Sequence, residues 1–305
     1  MILNNISDEH KKISFQNELI ENYISVIIPV YKDSVGLEET LKSLKKQTLS
    51  DQEYEIIVAN DGADTQIEDL CKRYNVKTIS IYPNQGSYFA RNKAIELARG
   101  EYIAFVDADI RVPEDWLEKG RLALQKGDYV AGDIIIDIHK IKNIAGYYEY
   151  CYGFPVKKYL KYNHFGVTAN LFVKREVFDI VGGFDARLKS GGDLEFGDRV
   201  FRSNRFKQIY SKDITTIHPP RGYRNLIKKV KRVIKGQKDI KILFPRRFSF
   251  YSFKTEIIKL FVPFLFIPDP YRKGYLNKRY VLWMFVAHME FIKSLYSIWY
   301  FYITK

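Results

Sequence analysis

The sequence predicts an α/β protein built on a Rossmann-like, mostly parallel sheet with helices on both faces. Two observations support this prediction. Short apolar runs rich in β-branched residues alternate with amphipathic segments of helical length along the first half of the chain. Three of the apolar runs end in polar clusters, which is typical of parallel sheets whose ligands bind at the carboxyl ends of the strands. Such alternation forms right-handed β–α–β units, in which helices cover the sheet.

The first half of the chain contains four runs that predict buried strands and three segments that predict helices. The strand runs are, in order, YISVIIPVY, YEIIVANDG, VKTISIY and EYIAFVDAD. The helical segments between them are VGLEETLKSLKKQ, DTQIEDLCKRY and NQGSYFARNKAIELARG. Asp64 or Thr65 is suited to cap the second helix, and the third is expected to begin near Gly86 and to end at Gly100.

Residues 128–220 are less regular, but they still predict strands and helices. The segment DYVAGDIIIDI predicts a strand, and GVTANLFVKREVFDIVGGFD predicts a strand and a short helix that ends at a Gly-Gly pair. The segment DLEFGDRVFRS predicts a helix with Leu194, Val200 and Phe201 on its buried side. The segments RFKQIYS and ITTIH predict a pair of closing strands that ends at His218.

The net charge of +13 is concentrated at one end of the chain. Residues 1–220 carry a net charge of −2, whereas residues 221–305 hold 19 basic and 4 acidic residues and carry +15. Within this end, RNLIKKVKRVIK places apolar residues on one face of a helix and basic residues around the other. An anionic membrane surface is therefore the expected partner of residues 221–305. Nucleic acid is not expected, because the basic residues alternate with Leu, Ile and Val, and not with stacking aromatic residues.

Two apolar, aromatic-rich stretches follow the basic segment. The first, Ile257 to Ile267, is too short to cross a bilayer and contains Pro263. The second, residues 281–302, has spanning length but carries three polar side chains that disfavour a simple span: His288, Glu290 and Lys293. We therefore expect helices that lie in the membrane interface, anchored by tyrosines and by Trp283 and Trp299. A packed helical subdomain or an oligomer interface is the alternative.

Cysteine usage and the first residues bear on the compartment. The two cysteines cannot form a disulfide framework, so a reducing environment is expected. The first twenty residues lack the long apolar region of a signal peptide. Together with the basic end of the chain, these features predict a cytoplasmic protein attached peripherally to the inner face of the cell membrane.

The run EYIAFVDAD ends in two carboxylates, Asp107 and Asp109, one residue apart. A carboxylate near a core is costly unless a partner compensates its charge. A divalent metal, alone or carrying a phosphate, would be such a partner. The alternative is that Asp109 caps the helix predicted after Pro113.

Five motifs occur in an order that is typical of one enzyme family. They are SVIIPVYKD, IIVANDGADT, NQGSYFARNKAIELARGEYIAFVDAD, GGFDARLKSGGDLEFGDR and IHPPRGY. Together, over residues 24–235, they resemble a family 2 glycosyltransferase with the GT-A fold of nucleotide-diphospho-sugar transferases. The resemblance implies a catalytic domain at 23–220, divided into a nucleotide-sugar-binding half at 23–127 and an acceptor-binding half at 128–220. Residues 1–22 would be an N-terminal extension and residues 221–305 a helical, membrane-associated region.

The resemblance implies an inverting transfer of a sugar from a nucleotide-diphosphate donor, with a UDP-sugar favoured, to a hydroxyl group. The acceptor would be a glycan or a lipid-linked molecule in cell-surface polysaccharide biosynthesis, and Mg²⁺ or Mn²⁺ would be the cofactor. A sugar nucleotidyltransferase of similar fold is one alternative, although YKDSVGLEE lacks the glycine-rich basic loop that it needs. A non-catalytic protein that binds a partner through its basic region is another. The intact set Asp107, Asp109 and Asp193 argues against it.

The resemblance also assigns the donor and metal residues. Asp109 would ligate the metal, His218 would complete the site or touch the diphosphate, and Asp107 would face the ribose or a metal-bound water. The other donor-binding residues would contact the base, ribose or phosphates: Pro29, Tyr31, Asp61, Arg91 and Arg221. The family usually has two acids where this chain has Asn60-Asp61. The alternatives are a structural histidine for His218, a strand-end turn for Asp61 and a solvated helix arginine for Arg91.

On the acceptor side, the resemblance assigns Asp193 as the general base, which implies inversion at the anomeric carbon. The family's preceding acid is Gly192 here, and both Gly192 and Glu195 are assigned to acceptor binding. A solvated glutamate is the alternative for Glu195, and a helix N-cap is a compatible role for Asp193. The aromatic-rich segment Tyr147–Gly166 predicts a mobile acceptor loop, because tyrosines stack well on sugar rings.

Overall fold

The computed structural model describes residues 13–248, 253–261 and 279–303. They divide into two compact units. The first contains the residues up to 135 together with 155–218, and the second contains 136–154 together with the residues after 218. Segment 136–154 thus joins the C-terminal unit, whereas the sequence motifs grouped it with the acceptor-binding half.

The strands and helices alternate through most of the first unit. Its strands are β1 (Ile20–Val30), β2 (Tyr54–Asp61), β3 (Lys77–Ile81), β4 (Gly100–Phe105), β5 (Tyr129–Ile136), β6 (Leu171–Lys174) and β7 (Gln208–His218). Its helices are α1 (Ser34–Leu44), α2 (Thr65–Arg73), α3 (Ser87–Glu96), α4 (Trp116–Leu124), α6 (Val156–Asn163), α7 (Arg175–Val181) and α8 (Gly192–Arg202). The second unit contains α5 (Ile144–Tyr152), α9 (Tyr223–Leu243), α10 (Phe253–Phe261) and α11 (Arg279–Ile298).

The seven strands form one sheet in the order β3-β2-β1-β4-β6-β5-β7. The pairs β1–β2, β1–β4 and β2–β3 are parallel, as predicted, whereas β6 runs antiparallel to both β4 and β5. Because Leu171 at the start of β6 pairs with Phe105 at the end of β4, the residues before β6 lie at the carboxyl edge of the parallel strands. The mixed sheet therefore adds an antiparallel half to the edge where the polar clusters lie.

The apolar runs form the core of the first unit because they are covered on both faces. All eight residues of β2 are buried, as are Ile24 and the Val26–Ile28 segment of β1. Burial of continuous apolar strands contributes roughly 25 cal/mol for each Å² of apolar surface removed from water. A rigid core of this kind fixes the strand ends, and with them the side chains at the carboxyl edge.

Several local predictions are confirmed and others are corrected. Asp64 caps α2 by accepting from the Gln66 amide at 2.9 Å, as predicted. Helix α3 ends at Glu96 and not at Gly100. Gly100 instead begins β4, and a larger residue would not fit there, because an added Cβ would lie 2.6 Å from a backbone oxygen. The predicted closing pair is a single strand, β7. Phe201 is 50% exposed and stacks on His164, so it does not belong to the buried side of α8.

In the second unit, α5, α9 and α11 pack around a shared apolar cluster. Its buried members are Ala145, Tyr148, Leu226, Val230, Ile234, Leu282, Val286 and Met289. The apolar face of the basic helix, predicted to meet a membrane, is therefore covered by protein. The predicted loop Tyr147–Gly166 is also wrong, because α5 and α6 occupy most of it. Pro263 and the end of the stretch to Ile267 lie outside the described residues.

Candidate active site

The paired acids Asp107 and Asp109 follow β4 directly, at the carboxyl edge of the sheet. Their loop is anchored to α1, because the Ile110 amide donates to the Thr40 hydroxyl at 3.1 Å. Both carboxylates are 39% exposed, so they face solvent from a fixed backbone. Helix α4 begins at Trp116, which shows that Asp109 does not cap it.

His218 is brought to Asp109 by a backbone bridge. Arg111 and Ile217 exchange two hydrogen bonds, of 3.0 and 2.9 Å, between the loop after β4 and the end of β7. This bridge places the Nε2 atom of His218 3.8 Å from Oδ2 of Asp109. The imidazole is buried, whereas the carboxylate is partly exposed.

The pair of Asp109 and His218 fits a divalent cation that takes further ligands from another molecule. Among the described residues, no group of three or more His, Cys, Asp and Glu side chains is placed to hold a metal. Two protein ligands are few for a resident metal, but Mg²⁺ is commonly held by one or two carboxylates and by substrate phosphates. An imidazole nitrogen beside a carboxylate oxygen is also a donor set that Mn²⁺ accepts.

Arg91 pairs with the carboxylate of Asp107 and is not a solvated helix arginine. Its Nη2 atom is 2.5 Å from Oδ1 of Asp107, and its side chain is only 4% exposed. Its Nε atom is buried and has no hydrogen-bond partner in the part of the chain that the structure describes. The guanidinium also lies 5.7 Å from the centroid of the Tyr88 ring. Arg91 thus compensates the charge of Asp107 from within the protein.

Asp193 lies in the first turn of α8, behind the N-cap residue Gly191. Its two carboxylate oxygens accept from the amide and the hydroxyl of Thr168, at 3.4 and 3.3 Å. Burial raises the pKa of Asp193 above the ordinary aspartate value; the charge of Arg91 opposes this rise and that of Asp107 adds to it. A carboxylate with a raised pKa accepts a proton more readily, which suits a general base.

Tyr88 fills the space beside Gly192, the residue that replaces the family's expected acid. A Cβ atom added to Gly192 would lie 2.8 Å from three atoms of the Tyr88 ring. The ring stacks on Phe184 with a centroid distance of 5.6 Å, and its hydroxyl accepts from the Asp193 amide at 3.4 Å. Neither Tyr88 nor Thr168 was identified from the sequence. The signal for Tyr88 was the glycine at 192, which indicates that another side chain approaches closely.

We expect Gly192→Ala to lower kcat by tenfold or more and to cost about 1–3 kcal/mol of stability, because Phe184 prevents the Tyr88 ring from retreating. Steady-state kinetics and thermal unfolding measure the two effects. Gly222→Ala is the matched control, since no atom lies within 4 Å of its added Cβ. Equal behaviour of the two variants would show that the ring moves freely.

Asp61 is placed differently from the role the motifs implied. Its buried carboxylate accepts from the Asn84 side chain and from the Gln85 and Gly86 amides, each at 2.7 Å. Its hydrogen bonds therefore hold the loop before α3, and its carboxylate is not placed for direct contact with a base or ribose. Asn60 bonds the backbone of Asp64 through both its amide nitrogen and its oxygen, at 2.9 and 3.1 Å. A carboxylate has no donor for this pattern, which accounts for Asn at that position.

Pro29 and Tyr31 lie at the end of β1, on the same edge. Pro29 is half-buried and pairs with Ala59 of β2. Tyr31 is 52% exposed, and one edge of its ring packs so closely on Gly62 that an added Cβ would be 3.0 Å away. An exposed, braced aromatic ring at this edge is suited to stack on a nucleotide base.

Glu195 and Arg221 have structural partners. Glu195 is fully buried and pairs with Nε of Arg199 at 2.9 Å, so its carboxylate is neither solvated nor directed at an acceptor. Arg221 belongs to the second unit, where its amide and guanidinium donate to Glu149 at 2.8 and 2.9 Å. Lys229 is 3.2 Å from the same carboxylate, and burial lowers the pKa of Lys229 to about 8.

The profile of the family "Glycosyl transferase family 2" matches residues 25–190, which include Asp61, Arg91, Asp107 and Asp109. The chain belongs to glycosyl transferase family 2. A curated relative is the glycosyltransferase AglE of Haloferax volcanii, 30% identical over 222 residues that cover 70% of this chain and 73% of AglE.

Solved glycosyltransferase structures share the fold of this family 2 member. The mannosyltransferase PcManGT of Pyrobaculum calidifontis, solved with GDP-Man and Mn²⁺, has a TM-score of 0.63 at 16% identity and covers 94% of this chain and 89% of its own. Residues 1–349 of S. aureus TarS, solved with UDP-GlcNAc, have a TM-score of 0.55 at 16% identity and cover 91% of each chain. At these identities the likeness shows the fold alone, and that fold is GT-A.

Proposed function

We propose that the protein is an inverting, metal-dependent glycosyltransferase that moves a sugar from a nucleotide-diphosphate donor to a hydroxyl group of its acceptor. The observation that carries the proposal is the group formed by Asp107, Arg91 and Asp193 at the carboxyl edge of the sheet. It offers one exposed acid beside a second acid whose pKa is raised by burial. The exposed acid can take part in donor binding, and the acid with the raised pKa can accept a proton. The reaction needs both functions.

The donor would bind along the edge formed by the ends of β1 and β4. Tyr31 would stack on the base, with Pro29 beside it, and Asp109 and His218 would hold Mg²⁺ or Mn²⁺ together with the diphosphate. The cation would neutralise the charge that develops on the leaving diphosphate. Neighbours of the same fold bind GDP-Man with Mn²⁺ and UDP-GlcNAc, which supports a nucleoside-diphosphate donor. UDP is the favoured nucleotide.

Asp193 would take the proton from the acceptor hydroxyl as that oxygen attacks the anomeric carbon from the face opposite the nucleotide. Thr168 fixes the orientation of its carboxylate, and the Tyr88 hydroxyl holds its backbone amide. A single base and direct displacement invert the configuration at that carbon. Arg91 keeps the two neighbouring acids compatible, because its charge offsets their mutual repulsion.

The proposed acceptor is a hydroxyl of a glycan or of a lipid-linked molecule in cell-surface polysaccharide biosynthesis. Membership of family 2 supports this class of acceptor. Glu195 is not part of the proposal, because it is buried against Arg199. Gly192 would act by leaving space for Tyr88, whose ring then forms one wall beside the base.

Calorimetric titration of UDP, GDP, dTDP and CMP, each with and without Mn²⁺, tests the donor site. We expect one nucleoside diphosphate to bind in a metal-dependent manner, and Asp109→Ala to weaken that binding at least tenfold, because it removes a ligand from a two-residue site. Asp115→Ala is the control, since the Asp115 carboxylate pairs with Lys119 at 2.7 Å. Absence of nucleotide binding by the folded wild type would contradict the transferase assignment.

A further inference from the structure

One face of α11 is exposed and mostly apolar, with His288 as a polar residue within it. Four residues of α11 and Trp299, the residue directly after it, recur at spacings of three to seven positions and are between 41 and 56% exposed: Val281, Met284, Phe291, Leu295 and Trp299. They lie on one side of the helix and extend about 27 Å along it. We call this set the α11 stripe. Soluble monomers rarely expose an apolar patch of this extent unless it has a partner.

The opposite face of α11 is packed inside the second unit, where Leu282, Val286 and Met289 join the apolar cluster and polar side chains lie beside them. Glu290 pairs with Lys293 at 2.6 Å, and Ser294 and Ser297 are fully buried. Lys293 also lies 5.7 Å from the ring of Tyr148 on α5. The helix therefore has two different surroundings, protein on one side and the α11 stripe on the other.

Basic helix α9 runs alongside α11 and contacts it at both ends. The Tyr223 hydroxyl is 2.8 Å from Nε2 of His288, and Lys241 lies 5.5 Å from the Phe301 ring. Between them, Lys231 lies 4.6 Å from the ring of Tyr296, which borders the stripe next to Leu295. Lys231 therefore places a positive charge at the edge of the α11 stripe, and Lys241 places a second one two residues beyond its end at Trp299.

This arrangement decides between a helix that crosses a membrane and one that lies on it. Residues 281–303 are long and apolar enough to cross a membrane, but part of that stretch is buried in the protein. A crossing would carry α9 into the hydrocarbon, and α9 contains eight basic residues and one acidic residue. Each charge at the bilayer centre costs several kcal/mol, so this insertion is strongly unfavourable.

We propose that the α11 stripe and its bordering lysines bind the surface of an anionic membrane, with α11 lying in the plane of the interface. The apolar side chains would enter the boundary between head groups and acyl chains, as in interfacial amphipathic helices. Trp299 is suited to the head-group level, and the lysines complement anionic lipid. The inference goes beyond the proposed transfer reaction and stands independently of it.

Co-sedimentation of the full chain with vesicles tests the inference. We expect binding to phosphatidylcholine mixed with phosphatidylglycerol, weakened by salt, and little binding to phosphatidylcholine alone. Phe291→Gln with Leu295→Gln should reduce binding at least tenfold, because these side chains lose their burial in lipid. Lys231→Gln with Lys241→Gln should reduce it about fivefold for each lysine.

The control is Leu122→Gln with Ile180→Gln, two exposed apolar residues of the first unit, which should bind vesicles as the wild type does. Thermal unfolding and nucleotide binding of each variant confirm that it is folded. Three results would overturn the inference. The first is equal binding to neutral and to anionic vesicles. The second is retention of the protein in vesicles after alkaline and high-salt extraction. The third is a wild type that does not bind vesicles but forms a dimer in light scattering, with the Phe291 and Leu295 changes dissociating that dimer.

Discussion

Asp193→Asn is expected to lower kcat by about 10²- to 10⁴-fold, the usual contribution of a positioned general base, while the affinity for the nucleotide donor stays within about twofold. The amide keeps the geometry of the site, because the Thr168 hydroxyl can accept a hydrogen bond as well as donate one. Initial rates with a saturating donor, together with calorimetric titration of the nucleotide, separate the two effects. Asp198→Asn is the matched control, since Asp198 lies on the same helix and pairs with Arg202.

The same variant should be more stable than the wild type at neutral pH. The folded state binds the proton of Asp193 more tightly than the unfolded state, because the folded pKa is raised. Wild-type stability therefore falls as the pH rises from the ordinary aspartate range through the raised value, and Asn escapes this loss. The difference in Tm should vanish under acidic conditions, where both states are protonated. A variant that is fully active, or that is destabilised at neutral pH, would remove Asp193 from the role of base.

Arg91→Met is expected to reduce both activity and stability. The substitution leaves Asp107 and Asp193 without the positive charge that they share. We expect it to lower the free energy of unfolding by about 1–3 kcal/mol. This is less than for a fully buried ion pair, because Asp107 is 39% exposed. The pKa of Asp193 should rise further, since the opposing charge of Arg91 is gone. The acidic limb of the pH–rate profile should therefore move to higher pH, and kcat should fall about 10²- to 10³-fold. A pH series of kcat/KM measures both effects.

Arg91→Lys provides the informative comparison. It restores the positive charge but not the planar guanidinium, so a partial return of the acidic limb is expected. Arg202→Met serves as the surface control, because Arg202 is 57% exposed and pairs with Asp198 on the same helix. If Arg91→Met left the acidic limb where it is in the wild type, the proposed coupling between Arg91 and Asp193 would be wrong.

The carboxyl edge of the sheet could be predicted from the sequence because parallel strands bring their ends together whatever the loops do. Asp107 and Asp109 follow β4 directly, and His218 ends β7, so their approach depends on strand positions. Asp193 was found through its motif, while its pairing with Thr168 was not. That contact depends on β6 running antiparallel beside β4, and nothing in the short run Leu171–Lys174 reports its direction.

Other side chains could not be placed because the sequence shows their type and not their partners. Asp61 was expected at the nucleotide, but three donors from the loop before α3 occupy its carboxylate. Glu195 was expected at the acceptor or in solvent, yet Arg199 holds it in the interior. The segment Tyr147–Gly166 was expected to be a loop because of its tyrosines. Tyr148 instead packs beside Phe285, which lies far along the chain.

The backbone bridge between Arg111 and Ile217 fixes the positions of the two proposed metal ligands independently of their side chains. Asp109 is held by the loop after β4 and His218 by the end of β7, and main-chain hydrogen bonds of 3.0 and 2.9 Å join the two segments. Truncating one side chain therefore leaves the other in place. Because the carboxylate and the imidazole are 3.8 Å apart and would share one cation, their contributions to cation binding should be coupled, and a double-mutant cycle would measure that coupling without interference from backbone displacement.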